Sequence, residues 1–215
     1  MQAANDEERG DLWNLRKSDE DLILRHLAGV GVVVRSLSSN EWDEPFPEAI
    51  PVLTRWLYEP IDPIVKTLAL RILGYEWAYP GTYPAIRKCF EQMAFPGGGS
   101  FDEFQFNLVA GIARTPAKLL WPDILAMARR EDLGGLRGLL LARAGKFRNH
   151  PDAVLALLVE YAGSTDPQVE VGVARGLGFL QDPRGIAILE RVNELTPYIA
   201  VEKKKSLAKI RSTQP

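Results

Sequence analysis

Apolar residues fall into blocks of helical length along the chain, and a proline stands just ahead of five of them. The blocks are "IPVLTRWL" at Pro51, "YPAIRKCF" at Pro84, "WPDILAMA" at Pro122, "HPDAVLAL" at Pro151 and "DPRGIAIL" at Pro183. Their spacings are 33, 38, 29 and 32 residues. Proline suits the first helical position, where its missing N–H would have no intrahelical partner. The pattern predicts helices near 49–59, 84–94, 121–131, 151–163 and 183–195, each the second helix of a repeated pair.

A second signal lies between them. "DPIVKTLALRILG", Asp62 to Gly74, and "DPQVEVGVARGLG", Asp166 to Gly178, align without a gap. They share Asp-Pro, a valine at the fourth position and a closing Arg-x-Leu-Gly. Asp62 and Asp166 suit N-caps, because a carboxylate accepts from the free N–H groups of a first turn. Gly74 and Gly178 stand where a helix would stop. First helices are predicted near 18–37, 63–74, 101–114, 133–146, 167–180 and 198–211. Within the first of these, "LAGVGVVVRSL" (Leu27 to Leu37) also has the composition of a buried strand. Ser18 with Asp21 upstream resembles a capping box and favours helix.

Helix pairs in units of about 30–40 residues predict an all-α chain folded as an α-solenoid, since no pair buries its apolar face alone. "TDPQVEVGVARGLGFLQDPRGIAILERV", Thr165 to Val192, resembles a HEAT repeat of the short, lyase-associated type. The likeness rests on Asp166-Pro167, Val169, Ala174, Leu177-Gly178 and Asp182-Pro183. "DPIVKTLALRILG" resembles the first half of another unit. The resemblance implies a right-handed solenoid of about five to six helix pairs. It places an extension at 1–17, one repeat domain over 18–212 and a tail at 213–215. It also implies that Arg71 and Arg175, at equivalent positions, support contacts between repeats. Such a motif specifies a fold and leaves function open.

Composition narrows the classes. The chain of 215 residues is 46% hydrophobic and 25% charged, as in ordinary globular proteins. No window reaches 18 consecutive apolar residues, so no membrane span is expected. The single cysteine, Cys89, excludes an internal disulfide and a multi-cysteine zinc site. A cytoplasmic location is the simplest reading. The net charge of −2 is unevenly spread: residues 1–60 hold 12 acids and 6 bases, leaving 16 acids and 20 bases in 61–215. That body is far less basic than a nucleic-acid surface.

Candidate chemistry is sparse. His26 lies on an apolar helix face, and His150 precedes Pro151 at a helix start, far from it in repeat order. Cys89 has basic and apolar neighbours and reads as a small buried hydrophobe. "FPGGGSF" (95–101) lacks the Gly-Lys-Ser/Thr ending of a phosphate loop and reads as a linker. Asp102 and Glu103 open a helix, where negative charge suits the dipole.

Two turns stand out. "YEWAYPGTYP", Tyr75 to Pro84, and "SSNEWDEPFPEA", Ser38 to Ala49, join first to second helices in adjacent repeats, where later turns are short. In a solenoid such turns line one edge and should lie side by side. Together they supply Glu41, Trp42, Asp43, Glu44, Phe46, Glu48, Tyr75, Glu76, Trp77, Tyr79 and Tyr83, an acidic ridge with large rings. Trp and Tyr are enriched at binding hot spots. Two readings stand: the rings face a partner, or they pack on one another and pin the turns.

The main expectation is a non-enzymatic, cofactor-free and metal-free protein-binding module, monomeric or weakly oligomeric. A scaffold, an adaptor and an inhibitor or immunity-type protein all fit. Its surfaces are the acidic aromatic edge, suited to a basic partner, and the wall of second helices that the resemblance makes concave. That wall carries Arg87, Lys88, Arg129 and Arg130. The alternative is a HEAT-like DNA-binding or repair enzyme, akin to those acting on alkylated bases. That alternative needs a continuous positive face, whereas Glu91, Glu131 and Glu160 interleave these bases. The lysines of "EKKKSLAKIR" also suit a last helix through its dipole. HEAT-type lyases that attach bilin pigments form another related group, and no residue here singles them out.

Overall fold

A computed structural model describes residues 2–95, 102–121 and 123–213, with side chains placed from residue 13 onward except at 80 and 117. The glycines of the 95–101 stretch and Pro122 lie outside the described residues. The described chain is helical and contains no strand. Its α-helices are α1 Gln2–Gly29, α2 Ala49–Trp56, α3 Pro63–Leu73, α4 Tyr79–Gln92, α5 Glu103–Arg114, α6 Ala117–Leu120, α7 Asp123–Ala128, α8 Arg137–Ala144, α9 Pro151–Tyr161, α10 Pro167–Leu180, α11 Gly185–Arg191 and α12 Pro197–Arg211. Three 3-10 turns, Asn40–Asp43, Glu76–Ala78 and Glu131–Leu136, punctuate them. The chain divides into two compact units, Met1–Met93 with Asp102–Gly111, and Ala94–Phe101 with Ile112–Pro215. In the first unit α1 packs on α2 and α3, and α2 on α3 and α4. In the second, α8 packs on α7, α9 and α10, while α10 also meets α9, α11 and α12.

The aspartate caps are present. One Oδ1 of Asp62 accepts from Ile64 N (2.8 Å) and Val65 N (3.2 Å). Asp166 does the same for Gln168 N (2.8 Å) and Val169 N (3.4 Å). Pro63, Pro151 and Pro167 each occupy the first helical position. Asp102 and Gln105 close a reciprocal capping box on α5: Gln105 N donates to Asp102 (2.7 Å) and Asp102 N to Gln105 (3.2 Å).

Several boundaries differ from the sequence reading, and Pro51, read as a helix start, is the third residue of α2. The first helix ends at Gly29, eight residues early, and takes in residues 2–17 as well. It stops in a Schellman turn: Gly31 has φ 86°, its N–H donates to Ala28 O, and Val32 N–H reaches back to Leu27 O. The valine run beyond is neither helix nor strand; Glu20 of α1 accepts from Leu37 N and Ser36 Oγ, both at 2.8 Å, and holds it. Pro84, expected at a helix start, is interior to α4. The apolar face begins earlier there, at Tyr79 and Tyr83, which are four apart and both buried. The helix expected over 121–131 is α7 alone, preceded by the single turn of α6, and α8 starts late because Gly134, at φ 48°, breaks the chain direction. Pro183 precedes α11 by two residues.

The helix predicted over 167–180 is α10, which stops at Gln181 in the left-handed conformation (φ 59°), so Gly178, read as a stop, lies inside it. Gly178 serves packing instead: a Cβ there would lie 2.4 Å from Ser206 Oγ on α12. The α8–α10 contact is closer still. A Cβ on Gly138 would sit 2.1 Å from Gln168 O, one on Gly172 2.3 Å from Gly138 O, and one on Gly145 1.9 Å from Gly176 O. These helices touch backbone to backbone, and apolar side chains such as Leu141, Leu158, Val173 and Leu177 fill the surrounding core.

Candidate functional site

The two expanded turns meet within the first unit. Trp77 Nε1 donates to the Trp42 carbonyl at 3.3 Å, so the insertions lie side by side. Trp42 is 1% exposed, donates its own Nε1 to Ser36 O at 3.2 Å, and meets Phe46 edge-on at 5.6 Å. Tyr79 and Tyr83 are buried within α4. Thr82, on the same helix, donates to Leu73 O at 3.1 Å and ties α4 to the end of α3. Trp42, Tyr79 and Tyr83 therefore belong to the core, a correction to their placement on a displayed ridge. The reason is geometric: a 3-10 turn and an early helix start turn these rings inward. Phe46, Tyr75 and Trp77 are half-buried, and Tyr75 and Trp77 stack at 6.4 Å with planes 19° apart.

The carboxylates divide differently. Glu41 accepts from Arg35 N and Nε, both at 2.9 Å, and from Ser39 Oγ at 3.0 Å. The Arg35 backbone N–H, then Ser39, hold its carboxyl below the usual range. Asp43, Glu44, Glu48 and Glu76 are exposed. Among the described residues none of these four enters an ion pair. The turns Ser38 to Ala49 and Tyr75 to Pro84 contain no basic residue, and Arg35, just upstream, is engaged by Glu41.

The second-helix cations are engaged. Arg87 pairs with Glu91 at 2.9 Å, one turn on, and Lys88 stands over the Tyr58 ring at 5.3 Å. In the other unit Arg129 grips both oxygens of Glu160, at 2.8 and 2.5 Å. Arg130 forks Asp132 at 2.6 and 2.9 Å and lies 4.8 Å over Phe95. Arg130 holds the Asp132 carboxyl below its usual range, as Arg129 does for Glu160. Of the two arginines that the aligned segments share, Arg175 joins α10 to α12 by donating to Glu202 (3.0 Å) and to the Tyr198 hydroxyl. Arg71 is exposed on α3.

The histidines are aromatic partners. His150 stacks on Trp121 at 4.2 Å with planes 5° apart, and His26 on Trp56 at 5.4 Å. Burial pushes the Cys89 thiol up, away from the reactive thiolate. Among the described residues there is no group of three His, Cys, Asp or Glu able to hold a metal ion, and no helix long and apolar enough to cross a membrane.

Glu170 escaped the sequence reading. It is fully buried on α10, and both carboxylate oxygens lack a hydrogen bond of normal geometry. Burial raises its pKa, opposed by the backbone N–H groups of Asn193, Gly163 and Ser164 that face it and by Lys203. The signal was legible: position 170 continues the buried stripe of Val173, Leu177 and Leu180.

No family model, curated protein or solved structure matches the chain.

Proposed function

We propose that this chain is a non-enzymatic protein-binding module built as a right-handed HEAT-like α-solenoid, and that it takes a basic partner on its acidic aromatic edge. A scaffold, an adaptor and an inhibitor of the immunity type are the roles such a module fills. The observation that carries this reading is that Asp43, Glu44, Glu48 and Glu76 are exposed and enter no ion pair among the described residues, on the two turns that also carry the half-buried rings of Phe46, Tyr75 and Trp77. Like charges held together unpaired repel one another and are relieved by a complementary surface, which also speeds encounter. The solenoid reading is supported by helices that pack on those one and two places along the chain, and by the aspartate caps shared by α3 and α10. The nucleic-acid alternative needs free cations on the second helices, and Arg129 and Arg130 are already committed to Glu160 and Asp132.

The test is co-purification of the wild-type chain and of an Asp43→Lys, Glu44→Lys, Glu76→Lys variant, followed by mass spectrometry. A basic protein held by the wild type and lost by the variant supports the reading. Nucleic acid alone, held with a steep salt dependence by both, overturns it.

A further inference from the structure

Across the chain, cations repeatedly settle on aromatic faces. Lys17 lies 5.3 Å over Trp13, Lys146 and Lys209 lie 5.2 and 5.1 Å from the Phe179 ring, and Lys88 covers Tyr58. At two of the described contacts the same cation also pairs with a carboxylate. Arg130 spans Phe95 and Asp132, and Arg175 spans Tyr198 (5.5 Å) and Glu202. Both of these carboxylate-backed sites hold an arginine. The physical reason is shape: a planar guanidinium can lie on a ring while its edge forks a carboxylate, and a lysine ammonium cannot do both as well.

The edge of the first unit has the ring and the carboxylates and lacks the cation. Tyr75 and Trp77 are stacked and half-buried, with exposed Glu76 between them in sequence. Trp77 Nε1 is bonded to the Trp42 carbonyl, so Asp43, the next residue, begins beside the indole. Among the described residues no lysine or arginine lies over either ring. We propose that Tyr75 and Trp77, with the carboxylates of Asp43, Glu44 and Glu76, form a clamp for an arginine side chain of a protein partner. This rests on the reading of the edge as a binding surface, and it adds the residue type that enters.

The experiment titrates the full chain with hexa-arginine and, separately, hexa-lysine at equal salt, following the Trp77 indole N–H resonance by NMR. The two peptides carry equal charge, so steering alone gives equal binding. A ring contact made by the guanidinium gives hexa-arginine an advantage of roughly two- to fivefold and moves the Trp77 resonance. Asp43→Asn with Glu76→Gln should weaken hexa-arginine by roughly three- to tenfold. The same double change should shrink the arginine advantage, while Glu190→Gln, on exposed α11 surface, leaves both peptides unchanged. Both rim changes are on exposed side chains and leave the fold intact; Tyr75→Leu, read by the same titration, tests the ring. Equal affinity for the two peptides overturns the clamp, as does a Trp77 resonance that stays still or a rim variant that binds like wild type. If the clamp fails while the charge-reversed chain still loses its partner, the binding edge stands without it. If hexa-arginine is preferred and partner capture ignores the reversal, the clamp stands and the proposed function falls.

Discussion

Gly172→Ala on α10 tests the packing on which the second unit depends. In helix interiors this change gains roughly 1 kcal/mol of intrinsic propensity. Here the new methyl would lie 2.3 Å from Gly138 O and 2.4 Å from Gly138 Cα. Carbon contacts settle at about 3.5–4.0 Å, so α8 and α10 must part by roughly 1 Å or more, and backbone cannot swing aside as a side chain can. The separation also loosens the contacts at Gly138, Gly145 and Gly176, which share the interface. Overpacking in a filled core costs roughly 1–3 kcal/mol and sometimes more; with the interface shared, the net loss should be about 2 kcal/mol. At this chain size that lowers Tm by roughly 4–8 °C. Gly29→Ala supplies the control, since Gly29 ends α1 with nothing within 4 Å of a new Cβ. It should raise stability by roughly 0.5–1 kcal/mol. Differential scanning fluorimetry with matching urea melts reads all of these. A Gly172→Ala chain as stable as Gly29→Ala would refute backbone contact between α8 and α10.

Other expectations follow from the same contacts. Gly31→Ala has equally open space but a φ of 86°, so it should cost roughly 1–2 kcal/mol in the same melts. Asp62→Ala and Asp166→Ala each remove a carboxylate that accepts two first-turn N–H groups and should cost about 1 kcal/mol, with Asn restoring most of it. Glu170 titrates with its folded pKa raised by burial, so its favourable contribution is full below 4.5 and is lost as pH rises through the folded value. Urea melts at a series of pH values should show wild type losing stability relative to Glu170→Gln as pH rises above about 4.5; a constant difference would refute the buried carboxylate. Asp132 has the opposite sign: Arg130 lowers its pKa, so that stability is present above 3.8 and lost as pH falls through the lowered folded value. Arg130→Met should remove that acid-side loss.

The aspartate-proline pairs and Pro151 placed three helix starts, because caps are local chemistry that needs no tertiary context, whereas Pro51 and Pro84 lie inside their helices and Pro183 ahead of its own. Asp62-Pro63 and Asp166-Pro167 open helices as their residue types require. Where the reading failed, longer-range contacts decided. Gly178 looks like a stop in isolation, yet Ser206, distant in sequence, requires a glycine inside the helix. Gly31 ends α1 because the Schellman bonds and Glu20 together hold the valine run in place. For the candidate site, adjacency of the two turns was readable from repeat position, and the Trp77–Trp42 bond is its structural form. Which rings face inward was not readable. Trp42, Tyr79 and Tyr83 have the same composition signal as Tyr75 and Trp77, and only the helix register of α4 and the turn at Asn40–Asp43 separate core from rim.

The rim's function is tested most directly by the dissociation constant of the captured partner for the wild-type chain and for Asp43→Asn, Glu44→Gln, Glu76→Gln, measured by calorimetry at two salt concentrations. Three rim charges at roughly 0.2–1 kcal/mol each predict about tenfold weaker binding at low salt, with the gap narrowing as salt rises. An unchanged constant at both salts would contradict the account, because the partner would then be bound elsewhere.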